Sequence, residues 1–117
     1  MPRAKGGPKT HRRHKRILAM AKGYRGGRSR LYRTAQETVD RALCFAYRDR
    51  RARKRDFRRL WVARINAGSR ALGVPYSRLV AGLDKAEVRL NRKMLSEMAI
   101  YHPEDFEKVV ALAKEQG

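Results

Sequence analysis

The feature that most constrains the fold is a long stretch without helix breakers. From Ser29 to Arg70 there is no proline, and Gly68 is the only glycine. Gly73 and Pro75 then follow, which is the usual order of residues after a helix end. With Ser29 as N-cap, the stretch predicts one helix of roughly 40 residues, about 60 Å long. A helix of that length needs a partner along its surface.

The middle of this predicted helix is strongly basic. Residues 47–61 read YRDRRARKRDFRRLW, in which eight of fifteen side chains are Arg or Lys and only Asp49 and Asp56 oppose them. Across residues 48–56 the only apolar side chain is Ala52. A helix that is polar on every face does not pack on protein. We therefore expect this basic run to contact phosphates.

Two ion pairs are expected within the basic run. Asp49 can pair with Arg53 one turn later, and Asp56 can pair with Arg59. Each pair contributes only about 0.2–0.5 kcal/mol to helix stability. Two carboxylates cannot neutralise eight cations, so the isolated run should repel itself.

The overall charge supports a polyanionic partner. The 117 residues carry 30 Lys and Arg against 11 Asp and Glu, a net charge of +19. Arg outnumbers Lys by 21 to 9. A guanidinium binds phosphate through two parallel hydrogen bonds and stacks on bases, whereas an ammonium is a hydrated point charge. Nucleic acid is therefore favoured over an anionic membrane.

Membrane and export signals are missing from the sequence. No window approaches the ~18 consecutive apolar residues of a spanning helix, and the N-terminal MPRAKGGPKTHRRHKR lacks the apolar segment of a secretory signal. A membrane-surface helix would need an apolar stripe through the basic run, which is not there. We expect a cytosolic protein without a membrane partner.

Charge also divides the chain. Residues 1–58 hold 20 basic and 4 acidic side chains, a net charge of +16, whereas residues 59–117 hold 10 and 7, a net charge of +3. The first part has too few large apolar residues for a core, so it should be an extension that is disordered until its partner binds. It is expected to contain an irregular tail at residues 2–10, a short helix from about His11 to Lys22, and a basic hinge at residues 22–30.

The second part predicts three short helices. Ser77 and Asn91 are candidate N-caps, and Pro103 occupies a favoured first helical position. Glu104 and Asp105 then lie in the first turn of the last helix, where negative charge is favourable.

These helices carry apolar stripes that need a common core. The stripes consist of Leu79, Val80, Leu83, Leu95, Met98, Ala99, Phe106, Val109, Val110 and Ala113. The end of the long helix should cover them through Leu60, Trp61 and Ile65. The predicted fold class is all-α, with a long basic N-terminal helical extension and a small globular α-helical C-terminal domain.

Catalytic and metal chemistry is not indicated. His11 and His14 lack nearby cysteines or carboxylates that would complete a metal site. Cys44 is alone and is predicted to be a small buried hydrophobe. No Ser, Cys or Lys has the partners of a nucleophile, and no pair of carboxylates suggests acid–base catalysis. We predict no enzyme, no metal and no cofactor.

Two nucleic-acid partners remain open. A long basic helix could lie in the DNA major groove as an architectural protein, or thread between helices of a structured RNA. DNA-binding basic helices usually dimerise through heptads, and none is sustained here. Aromatic residues among the cations could stack on unpaired RNA bases; they are Tyr24, Tyr32, Tyr47 and Trp61. RNA is favoured.

Two positions near the end of the long helix have alternative roles. Trp61 either packs in the core or stacks on a base. Asn66 and Arg70 either project together to read RNA or cap the approaching loop.

A specific resemblance rests on KRDFRRLWVARINAGSR, residues 54–70. It resembles the signature of the bacterial large-subunit ribosomal protein numbered twenty, the L-twenty family. The matching positions are Lys54, Arg58, Leu60, Trp61, Arg64, Ile65, Asn66 and Arg70. The resemblance continues through HKRILAMAKGYRGGRSRLYRTA, YRDRR, YSRLVAGLDKA and LNRKMLSEMA, which together cover nearly the whole chain.

The resemblance implies a function as well as a fold. Members of the family bind 23S ribosomal RNA directly, act early in assembly of the large subunit, and in some bacteria repress translation of their own message. It also implies neighbouring large-subunit proteins as partners and a single copy of the chain in each ribosome.

Charge, aromatic character and the resemblance together select the residues expected to bind RNA. They are Arg12, Arg13, His14, Lys15, Arg16, Lys22, Tyr24, Arg25, Arg28, Arg30, Tyr32, Arg33, Arg48, Arg50, Arg51, Arg53, Lys54, Arg55, Arg58, Arg59, Arg64, Asn66 and Arg70.

Overall fold

The computed structural model describes residue 3 and residues 5–117, and in these residues it is all-helical, as predicted. A short 3-10 helix, Gly26–Ser29, stands between the first two of five α-helices. The α-helices are α1 (Lys9–Met20), α2 (Tyr32–Ala71), α3 (Tyr76–Lys85), α4 (Arg92–Tyr101) and α5 (Pro103–Glu115). Of the predicted irregular tail, Pro2 and Ala4 lie outside the described residues, and α1 begins before the tail was expected to end.

The predicted long helix is confirmed as α2, with 40 residues. Its start differs from the prediction, because Ser29 does not cap it. Ser29 belongs to the 3-10 helix, and its hydroxyl donates to the carbonyl of Gly26 at 3.0 Å.

After the last residue of α2, Gly73 adopts a φ of +82°, which a residue with a side chain rarely does. The chain then leaves the helix toward Pro75.

The chain divides into two compact units, Met1–Arg51 and Ala52–Gly117. Unit 1 contains α1 and the first part of α2, and unit 2 contains the rest of α2 and the three short helices. The functional boundary expected between residues 58 and 59 stays a prediction.

Unit 1 has a small core, which corrects the expectation that the basic extension has none. Ala21, Ala35 and Val39 are buried together. Ile17, Leu18 and Tyr24 pack against them half-buried. Two of the three buried residues are alanines, which bury little apolar area and give no clear hydrophobic pattern in a sequence. Whether this cluster is ordered without RNA stays a prediction.

Unit 2 has the larger core, and it contains most of the predicted apolar stripes. The buried residues are Ile65, Val74, Leu79, Leu83, Leu95, Phe106, Val110 and Ala113. Of the three residues expected to cover this core from α2, only Ile65 does so. Leu60 is 40% exposed, and Trp61 is half-buried outside the core cluster. Helix α2 therefore contributes Ile65 to this core, but not Leu60 and Trp61, which were predicted to lie on the same covered face.

Helices α3 and α5 approach each other closely at Gly82. A Cβ atom at this position would lie 2.9 Å from the carbonyl carbon of Ala113 and 3.0 Å from its Cα. The missing side chain of Gly82 therefore permits the close contact between the two backbones.

Helix starts in unit 2 follow the prediction at two of three positions. The Asn91 side chain accepts a hydrogen bond of 2.8 Å from the backbone N–H of Met94, and Pro103 opens α5 with Glu104 in its first turn. Ser77 is not an N-cap, because α3 already begins at Tyr76 and no side chain caps it.

We expect Asn91→Ala to lower the free energy of unfolding by about 1 kcal/mol, because the N–H of Met94 loses its acceptor. Urea unfolding of the full chain measures the change. Asn91→Asp keeps an acceptor and adds negative charge at the helix N-terminus, so it should retain the parent stability or exceed it. Equal losses in both variants would contradict a capping role.

Candidate nucleic-acid interface

The basic run is solvated along its length. Every side chain from Arg48 to Leu60 is exposed except that of Ala52, which is half-buried. The expectation that no protein face covers the run is therefore confirmed for the described residues. A continuous surface of cations is available to a polyanion from several directions around the helix.

The ion pairs of the run are few and weak. Asp49 pairs with its neighbour Arg48 at 3.0 Å and not with Arg53, so the predicted pair is wrong. The predicted pair of Asp56 with Arg59 is present, with 3.7 Å between carboxylate and guanidinium. Both pairs are solvent-exposed and contribute about 0–1 kcal/mol each. The carboxylates therefore leave most of the positive charge uncompensated.

Two guanidinium groups lie over aromatic rings beside the run. Arg48 lies 4.6 Å from the ring centre of Phe45, and Arg51 lies 4.6 Å from that of Tyr47. Both rings are about half exposed, at 51% for Phe45 and 56% for Tyr47. These contacts hold the two guanidinium planes against the helix surface, where they remain accessible.

The predicted RNA-binding residues of α1, the hinge and the start of α2 are mostly exposed. The exposed cations are Arg12, Arg13, Lys15, Arg16, Lys22, Arg25, Arg28, Arg30 and Arg33. The aromatic residues differ from the expectation. His14 and Tyr32 stack on each other with ring centres 3.6 Å apart and planes 19° apart, and Tyr24 packs on the small core. Because protein atoms already cover part of these rings, less of each is available to a base.

At the C-terminal end of α2 the two predicted RNA-reading residues differ in exposure. Arg70 and Arg64 are exposed, but Asn66 is half-buried. The side-chain oxygen of Asn66 is enclosed without a hydrogen-bond partner among the described residues. Asn66 and Arg70 therefore do not project together into solvent, and their role in binding RNA stays a prediction.

A hollow of about 470 Å³ lies between the second half of α2 and the start of α4. We call it the Trp61 hollow. Its lining residues are Lys54, Arg55, Arg58, Trp61, Asn91, Arg92 and Lys93. The Nε of Arg92 donates to the hydroxyl of Tyr76 at 2.9 Å, which fixes that guanidinium at the rim.

The sequence-based site omitted the part of this hollow that α4 contributes. Asn91, Arg92 and Lys93 are consecutive in the sequence, and the two cations open a helix. Acidic residues are favoured in the first turn of a helix. Two cations in that turn were therefore a sequence signal for an anion-binding role.

Cys44 differs from its predicted role. It is exposed on α2 and not buried. The small core of unit 1 covers Ala35 and Val39, whereas Leu43 and Phe45 on either side of Cys44 are also exposed. The apolar side chains around Cys44 are therefore not covered at this point along the helix.

Groups of side chains that could hold a metal ion are not found in the part of the chain that the structure describes. In the same residues, no helix is both long enough and apolar enough to cross a membrane.

A solvated basic helix and a small helical core together define a highly basic all-α protein with a surface suited to polyanions. The chain belongs to the ribosomal protein L20 family, whose model matches residues 3–109. Its relatives include proteins named large ribosomal subunit protein bL20. The one from Lawsonia intracellularis is 58% identical over 97% of both chains, and the one from Nitratidesulfovibrio vulgaris is 57% identical over 96% of both. That of Synechococcus sp. is 59% identical over 97% of this chain and 99% of its own.

Proposed function

We propose that this protein binds 23S ribosomal RNA directly as a component of the large ribosomal subunit in the bacterial cytoplasm. The observation that carries the proposal is the solvated basic run from Arg48 to Arg59, in which two carboxylates oppose eight cations. Membership of the L20 family and the names of its relatives support the choice of ribosomal RNA over other polyanions.

The proposed mechanism is neutralisation of crowded phosphates. Neighbouring RNA helices repel one another, and a helix with cations on all its faces can lie between them and reduce that repulsion. Counterions released from the RNA supply a large share of the affinity. The exposed cations of α1 and the hinge extend the same function toward the N-terminus.

Early action in assembly follows from this mechanism. A protein that reduces repulsion between RNA segments contributes most before those segments have packed, and it is enclosed once they have. We extend the proposal to neighbouring large-subunit proteins as partners, to one copy of the chain per ribosome, and to repression of the protein's own message. The repression would use the same cations on a folded part of that message.

Sedimentation of a bacterial lysate tests the ribosomal assignment. The tagged full-length protein should travel with the large subunit at moderate salt. Its absence from those fractions would contradict the proposal.

A competition assay tests the choice of RNA. Binding to a folded fragment of large-subunit RNA should be saturable, should survive excess double-stranded DNA, and should weaken steeply with salt. Equal competition by the two nucleic acids would favour an architectural DNA-binding protein instead.

A further inference from the structure

The Trp61 hollow joins the single tryptophan of the chain to a group of cations. The hollow is open to solvent, and its volume of about 470 Å³ lies in the range of clefts that bind small organic groups. Trp61 is half-buried, yet it is not among the residues packed against the core of unit 2. The ring of Trp61 lies 6.1 Å from that of Phe57 on the same helix, so the core of unit 2 does not enclose the indole that lines the hollow.

The rim of the hollow is positive on both sides. Lys54 and Arg58 come from α2, and Arg92 and Lys93 come from the first turn of α4. No acidic side chain of the described residues lines the hollow. An anion at this position would meet cations from two helices together with the N–H groups that open α4.

The two cations of α4 do not serve their own helix. The positive end of a helix dipole favours acidic residues, as in the first turn of α5 with Glu104 and Asp105. In α4 the first turn carries Arg92 and Lys93 and no acidic residue. The hydrogen bond to Tyr76 holds Arg92 in place, so its orientation does not depend on a ligand. An anion in the hollow would offset the unfavourable charge of both cations at this end of the helix.

The indole and the cations that line the hollow together select the ligand. A simple anion does not need the aromatic ring, and an apolar peptide does not need the cations. An unpaired nucleotide has both an aromatic face and flanking phosphates. Unpaired RNA bases commonly stack on aromatic side chains while cations follow the backbone.

We propose that the Trp61 hollow binds one unpaired RNA base, stacked on the indole of Trp61, with its flanking phosphates on the cations of α2 and α4. The inference rests on the proposed binding of ribosomal RNA. It adds a defined contact in the globular unit to the sequence-independent contacts of the basic run.

Fluorescence of the unmodified protein tests the stacking directly, because Trp61 is the only tryptophan. The full-length chain is titrated at low salt with a short oligoadenylate and, separately, with an abasic oligonucleotide of equal length and charge. Anisotropy of a label on each oligonucleotide shows when binding is saturated. The oligoadenylate should quench the emission of Trp61 and the abasic oligonucleotide should not.

Variants test the same contact through affinity. Trp61→Leu should weaken binding of the oligoadenylate by roughly 5- to 150-fold and leave binding of the abasic oligonucleotide nearly unchanged. At physiological salt, Lys93→Ala should weaken binding of both by about fourfold, because each loses one phosphate contact. Lys108→Ala is the matched control: this lysine is exposed, pairs with Asp105 and does not line the hollow. It should bind both oligonucleotides as the parent does.

Two outcomes would overturn the inference. One is unchanged Trp61 emission at saturation with the oligoadenylate, and the other is equal quenching by the abasic oligonucleotide. Either result would leave the proposed function standing if the protein still selects large-subunit RNA over DNA. Quenching by the oligoadenylate without that selectivity would support the hollow and contradict the ribosomal proposal.

Discussion

Replacing Arg50, Arg51 and Arg53 together by glutamine is expected to weaken binding of large-subunit RNA about a hundredfold at physiological salt. All three side chains are exposed, and none lines the Trp61 hollow. If each guanidinium neutralises one phosphate, the slope of log K against log salt should become shallower by roughly two to three. Glutamine has nearly the helix propensity of arginine, so α2 should remain helical.

A control with the same loss of charge separates the basic run from net charge. Lys85, Arg89 and Lys108 are exposed in unit 2 and lie outside the predicted RNA-binding set. Their combined replacement by glutamine should change the salt slope much less. Filter binding across a salt series measures both variants. Equal losses in the two would show that affinity follows total charge and not the surface of α2.

Gly82→Ala is expected to destabilise unit 2 by about 3 kcal/mol. The new methyl group would meet the backbone of Ala113, which cannot rotate away as a side chain can. Overpacking usually costs about 1–3 kcal/mol, and against rigid backbone we expect the upper extreme, about 4 kcal/mol. The better helix propensity of alanine offsets ~1 kcal/mol of this cost. For a unit of this size the unfolding midpoint should fall by about 10–20 °C.

Gly68→Ala is the matched control for this change. Gly68 also lies inside a helix of unit 2, but a Cβ there would meet side chains, with Phe106 Cε1 at 3.0 Å and Ala99 Cβ at 3.4 Å. A small shift of these side chains would offset the gain in helix propensity, so the stability should change little. Thermal unfolding followed by Trp61 emission measures both variants. A midpoint for Gly82→Ala at or above that of the parent would contradict the close contact of α3 and α5.

Much of the fold follows from local signals in the sequence. The absence of proline, followed by Gly73 and Pro75, predicted the length of α2 closely. Asn91 and Pro103 marked the starts of two helices correctly. Signals of this kind act through the backbone within one turn, so they can be recognised without knowledge of the tertiary structure.

Predictions about which side chains are covered were less successful. Cys44 and Leu60 have apolar character at helical spacing, yet both are exposed. Helical spacing shows that residues share a face, but it does not show where along a long helix another element covers that face. The small core around Ala35 was missed for a related reason, since alanine gives little hydrophobic signal.

The sequence by itself determined the helical class, the concentration of positive charge on one long helix and the family. These depend on residue types and on spacing within single elements. Only the tertiary structure decided the close contact at Gly82 and the assembly of the Trp61 hollow from Arg58 on α2 and Lys93 on α4. Both features join residues distant in the chain, and helix packing, which no local pattern encodes, brings them together.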